Sequence, residues 1–193
     1  MSELTERQKQ ILKTSISIIA QEGIQNLTTK NLSAKIGVSE AALYRHYESK
    51  HAILMGILDL FKDISEMPDI PAGSTLSPIE KIELFLTDRY EKFSSDPDLA
   101  KVMFSEGIFV NDEELSNKAR SIMHGHKGTV TGFIKEGQKS GLIKKELDPV
   151  SVFRTIVGSM RLLILQWCYN GNAFDLKKEG INLWNNVKVM IEP

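Results

Sequence analysis

Apolar residues recur along this chain at helical spacing, and no stretch reads as a strand. Ile11, Leu12, Ser15, Ile18 and Ile19 make one stripe of a core-facing helix. Leu32 and Ile36 stand four apart, and Leu43 is the inward anchor of a short helix after Gly37. Helix starts punctuate the pattern. Thr5-Glu6-Arg7-Gln8 and Ser77-Pro78-Ile79-Glu80 fit capping boxes, the second with proline at the first helical position, where no donor is lost. Asp96-Pro97, Asp148-Pro149 and Asn111-Asp112-Glu113-Glu114 are further starts, and Gly23, Gly37, Gly141 and Gly171 read as stops.

These signals predict an all-α protein of about nine helices, over 5–22, 29–36, 40–47, 50–65, 78–94, 97–107, 112–140, 149–169 and 175–191. Residues 67–74, with two prolines and a glycine, read as the clearest linker. Gly125, Gly128, Gly132 and Gly137 each cost a helix about 1 kcal/mol against alanine, so a kink or break is expected within 112–140.

Two short helices joined through Gly37 form a helix-turn-helix pattern, in which the start of the second helix meets base edges in the major groove. With Leu43 buried, Ser39, Glu40, Ala42 and Tyr44 face outward, mostly small groups that let the helix sit deep. Lys30, Tyr47 and Lys50 flank them with chemistry suited to phosphate oxygens, Tyr47 combining a packed ring with a free hydroxyl. Free amides near Thr28 and Thr29 add an anion site.

These residues carry a family resemblance. Residues 7–55, and above all the run LTTKNLSAKIGVSEAALYRHYESKHAIL from Leu27 to Leu54, resemble the DNA-binding domain of the TetR-type bacterial transcriptional regulators. The resemblance implies an N-terminal three-helix helix-turn-helix domain, 1–49, and a helical effector-binding and dimerisation domain, 50–193. It implies a homodimer on a palindromic operator, Thr29, Lys30, Tyr44, Tyr47 and Lys50 on the DNA backbone, and Ser39, Glu40, Ala41, Ala42 and His46 at or near bases. Glu40 departs from a neutral or basic reader: it either accepts from cytosine N4 or disfavours wrong sites. The expected function is a repressor released by a small apolar or amphipathic effector, with helix 50–65 linking body to reader. The alternative is a same-fold DNA-binding protein answering to a protein partner, or working without a small ligand.

In the C-terminal body, helix 149–169 is apolar almost all round and needs cover on more than one side. Together with 175–191 it is expected to form a four-helix dimer interface, with Gly158-Ser159 marking a close approach. The resemblance also implies an effector pocket. Phe85, Phe93, Met103, Phe104, Met123, Phe133 and Met160 are its adaptable apolar candidates. Arg89, Glu106, His126 and Arg161 are candidates for a ligand's polar head.

Composition narrows the remainder. Of 193 residues, 24 are basic and 25 acidic, a net charge of −1, so the molecule as a whole is no basic glove for nucleic acid. The first fifty residues hold seven Lys/Arg and five Asp/Glu, a net of +2, which leaves −3 elsewhere. One cysteine, Cys168, suits a reducing cytosol, and MSELTERQKQ has no apolar core, so a cytoplasmic protein is expected. The stretch 150–169 is broken by Arg154, Arg161 and Gln166 and reads as a buried helix with no membrane role. His124 and His126 point about 200° apart on a helix and would not share one ion. No phosphate loop, Gly-x-Ser-x-Gly or His-Glu-x-x-His spacing occurs. No metal, cofactor or catalytic residue is therefore expected, and the protein is not expected to be an enzyme.

Overall fold

The computed structural model describes residues 4–64, 66–70, 74–105 and 107–193. Among them are nine α-helices, one 3₁₀ turn and no strand. The helices are α1 (Glu6–Glu22), α2 (Thr29–Ile36), α3 (Glu40–Tyr44), α4 (Lys50–Ile64), α5 (Pro78–Ser95), α6 (Pro97–Phe104), α7 (Glu113–Lys139), α8 (Pro149–Tyr169) and α9 (Leu176–Ile191), with the 3₁₀ turn at Ile24–Asn26. The chain packs as two compact units, residues 1–64 with 98–119, and residues 65–97 with 120–193. α7 thus gives its first turns to one unit and the rest to the other.

In the first unit, α1 opens on the expected capping box, with Thr5 and Gln8 each satisfying the other's backbone amide. Its inner stripe is fully covered, from Ile11 and Leu12 to Ile18 and Ile19. The buried Ser15 hydroxyl donates to the Ile11 carbonyl at 2.8 Å, so no polar group is stranded there. Thr28 caps α2, and Gly37 ends it at φ +76°, a left-handed conformation that a side chain disfavours. Ser39 then caps α3, and Leu43 is 1% exposed beneath it.

The structure departs from the expectations at four places. α3 stops at Tyr44, because the Leu43 carbonyl takes both the His46 and Tyr47 amides and closes the chain into a turn. α7 runs unbroken through its glycines. One of them is there for packing: a Cβ on Gly137 would lie 2.7 Å from the Ile143 side chain. The turn at 24–26 was not anticipated; it forms where Gln25 and Asn26 fold their amides back onto the Glu22 carbonyl. α6 ends at Phe104, and Glu106 and residues 71–73 of the predicted linker lie outside the described residues.

In the second unit, α9 packs against α5 and α8. Gly180 brings α9 against the Tyr90 ring, where a Cβ would sit 2.2 Å from Cε2. Glu83 of α5 accepts from the Trp184 indole at 2.8 Å and from Lys188 at 2.9 Å. The Trp167 indole donates to the Phe174 carbonyl at 2.9 Å, closing the α8–α9 turn.

Candidate functional site

The helix-turn-helix forms, with most of the candidate reading residues on its outer side. Ser39, Glu40, Ala41, Arg45 and His46 are exposed, Ala42 is half-buried, and Tyr44 is 48% exposed. Leu43 alone points inward and fixes which face of α3 is turned outward. The Ser39 hydroxyl accepts the Ala42 amide at 3.2 Å, holding the start of this five-residue helix. Lys30 is exposed beside it. Lys50 is exposed too, but its ammonium donates to the Ile24 carbonyl at 2.7 Å, which moors it to the 3₁₀ turn at 24–26.

Two predicted backbone contacts are committed elsewhere. The Thr29 hydroxyl donates to the Glu40 carboxylate at 2.7 Å, so it is tied across the turn to the start of α3. The Tyr47 hydroxyl is buried and has no hydrogen-bond partner among the described residues. It packs toward Gly56 of α4, and burial, with the charge of Asp59 adding, pushes its pKa up. A free Tyr47 hydroxyl at the surface is therefore corrected: the ring is a strut between the turn and α4. The sequence could not distinguish the two, since a half-buried tyrosine has the same spacing in either role.

The effector candidates separate. Phe85, Arg89 and Phe93 follow one another at four-residue spacing on α5 and are all buried. The Arg89 guanidinium, 2% exposed, stacks 4.8 Å over the Phe85 ring. It donates to Asp88 at 2.7 Å and to the Glu66 carbonyl at 2.8 Å. Burial lowers its pKa, and Asp88 opposes that. His126 of α7 meets the other side of Phe85 edge-on, with ring centres 5.9 Å apart. Phe133, two turns further along the same face of α7, lies under the Lys81 ammonium at 5.4 Å.

Met160 is buried on the inner stripe of α8. Met123 is 54% exposed and Arg161 is exposed, so neither joins this interior. Met103 and Phe104 belong to the first unit. Asp88, which holds the buried guanidinium, was missed; its only signal was its place next to Arg89 in an otherwise apolar face.

α8 covers a single stripe with its own chain: Val152, Ile156, Met160, Ile164 and Trp167. The rest of α8 lies outside the core of its own chain, although by length and composition the helix would suffice to cross a membrane. Its other face, with Leu162 and Leu163, forms a shallow groove with Leu183, Asn182 and Asn186 of α9. That leaves the α8–α9 face open to a second subunit.

Against known proteins, residues 11–56 match the family model for bacterial regulatory proteins of the tetR family. Residues 62–189 match the model for the C-terminal region of YsiA-like proteins. The fatty acid metabolism regulator protein of Bacillus subtilis (strain 168) is 27% identical over 173 residues, covering 86% of each chain. The probable acrEF/envCD operon repressor of Escherichia coli (strain K12) is 24% identical over 198 residues, covering all of this chain and 90% of that one. The solved structure of the transcriptional regulator FadR from Bacillus subtilis, in complex with stearoyl-CoA, superposes with a TM-score of 0.72 at 22% identity, covering 93% of this chain and 96% of that one.

Proposed function

Proceeding from a chain that belongs to the tetR family of bacterial regulatory proteins, we propose a repressor released from a palindromic operator by a long-chain fatty acyl thioester. The protein is a ligand-responsive, DNA-binding transcriptional regulator that acts as a dimer. The effector class is the further step. One observation in this chain supports it: the Phe85–Arg89–His126 cluster sets a buried, pinned guanidinium against aromatic walls. An apolar chain suits the walls, and a polarised thioester or phosphate head suits the cation. The relatives that regulate fatty acid metabolism, one of them holding stearoyl-CoA, point the same way.

The reading domain is assigned to 1–49 and the effector and dimerisation domain to 50–193. α8 and α9 supply the subunit contact through the face that the single chain leaves open. The protein works in the cytoplasm and catalyses nothing; its output is occupancy of DNA. Moving it from almost fully bound to almost fully released requires the effector to favour the free state by about 5.5 kcal/mol.

Fluorescence anisotropy on duplexes from the gene's own upstream region tests the reading. Stearoyl-CoA should release the protein from a specific duplex, and CoA alone should not. Release by CoA alone, or by no acyl length, overturns the ligand class. Absence of any specific duplex overturns the DNA-binding assignment.

A further inference from the structure

Glu40 is the only acid within α2, the turn and α3, and it stands at the first position of the recognition helix. Its immediate neighbours offer less as base-reading acceptors. Ser39 already accepts the Ala42 amide with one lone pair, and the Ala41 and Ala42 side chains carry no polar group. Glu40 is exposed, yet one carboxylate oxygen, Oε2, is held at 2.7 Å by the Thr29 hydroxyl across the turn. That bond restrains the side chain through Oε2 and leaves Oε1 as the acceptor that no hydrogen bond uses among the described residues.

The geometry points to Glu40 as a specificity-determining residue, pre-set by Thr29 to demand an amino donor in the major groove. This rests on the DNA-binding reading above. A carboxylate only accepts hydrogen bonds. It can therefore pair with the exocyclic amino group of cytosine or adenine, and it is repelled by the oxygens of guanine O6 and thymine O4. The same charge opposes phosphate, so a duplex sliding past in the wrong register is penalised while Lys30 and Lys50 supply attraction on either side. Thr29 is a positioning residue: by holding Oε2 before DNA arrives, it removes part of the ordering cost from the bound state.

Selection of the full-length dimer on randomised duplexes, with wild type, Glu40→Gln, Glu40→Ala and Thr29→Val in parallel, tests this. Wild type should require cytosine or adenine at one position of each half-site. Glu40→Ala should lose that preference by about tenfold, the scale of one base contact, and should bind unrelated duplexes more tightly. Glu40→Gln keeps an acceptor and adds a donor, so it should retain cytosine and adenine and also admit guanine or thymine. Thr29→Val should keep the preferred letter and discriminate less sharply. If Glu40→Ala selects the same letters at the same stringency, the assignment of Glu40 falls and the DNA-binding reading stands. If wild type selects no motif, both fall.

Discussion

The Nε2 atom of His51, in the first turn of α4, lies 3.3 Å from Oδ1 of Asp112, the same oxygen that accepts the Leu115 amide at 2.9 Å. Asp112 thereby caps α7 and fastens the start of α4 to it. Glu114 stands 3.5 Å from the same imidazole, and further along α4 Asp59 pairs with Lys118 at 2.6 Å. The cap and the ion pair compete as the reason for Asp112. Exposed ion pairs contribute little, whereas a lost cap leaves a helix amide unsatisfied. Asp112→Asn keeps the acceptor and drops the charge, so its melting temperature should stay near wild type. Asp112→Ala should melt clearly lower. Equal losses in both variants would make the ion pair the dominant contact.

Acid should weaken this protein through its helix-start carboxylates and one ion pair. The Leu115 amide, with His51, holds the Asp112 carboxyl below the usual carboxylate range. Ser151 does the same to Asp148, the Ser77 amide to Glu80, and Lys35 to Glu22. Each folded pKa is lowered, so below about pH 4 the unfolded chain binds more protons than the folded one. Stability from these groups is complete above their unfolded values and is lost as pH falls through the folded ones. Melting temperatures measured between pH 7 and pH 3 should therefore show no loss from these four groups down to about pH 5 and then a fall. Asp148→Asn should make the fall shallower; an unchanged slope in that variant would remove Asp148 from the set.

Gly180 tests the packing of α5 on α9. A Cβ there would lie 2.2 Å from a Tyr90 ring that the core holds on every side, so neither helix can yield cheaply. Gly180→Ala should cost about 1–3 kcal/mol by overpacking, despite alanine's better helix propensity. Urea unfolding measures it, and a stabilised variant would show that α9 can shift away from α5.

The legible part of this fold was local. Capping boxes at Thr5 and Ser77, the Asp148 cap and the Gly37 stop are chemistry written within four residues, and each forms as the spacing implies. The inward side of α3 was legible as well, because Leu43 is its one large apolar residue. What escaped the sequence depends on residues far apart in the chain. The glycines of α7 suggest a break unless Ile143 is known to press on Gly137. Thr29 and Glu40 each read as independent DNA contacts until the turn brings them to 2.7 Å. Arg89 stands out in sequence as a lone cation on an apolar face, and only the fold reveals that Asp88 and the Glu66 carbonyl pin it there.

The dimer face makes a sharp demand on Leu162. It is 57% exposed in the single chain, on the side of α8 that borders the groove with α9. A charged side chain there costs the subunit nothing, but buried in a dimer it would lack a partner. Leu162→Glu should leave the helical circular dichroism intact and shift sedimentation from dimer to monomer. A dimer as tight as wild type would place the subunit contact elsewhere.

Tyr44 and Tyr47 lie three residues apart and look equivalent in sequence, yet they should respond oppositely to the loss of one oxygen. The Tyr47 hydroxyl is buried without a partner among the described residues, so it carries a desolvation cost with no return. Tyr47→Phe should stabilise the protein by about 1 kcal/mol and leave operator affinity unchanged. Tyr44 is 48% exposed on the reading side. Tyr44→Phe should leave stability unchanged and weaken operator binding severalfold, by removing one charge-assisted bond to phosphate. Thermal melts and anisotropy titrations on both variants separate the roles. Weaker DNA binding by Tyr47→Phe would mean that its ring swings outward when the duplex arrives.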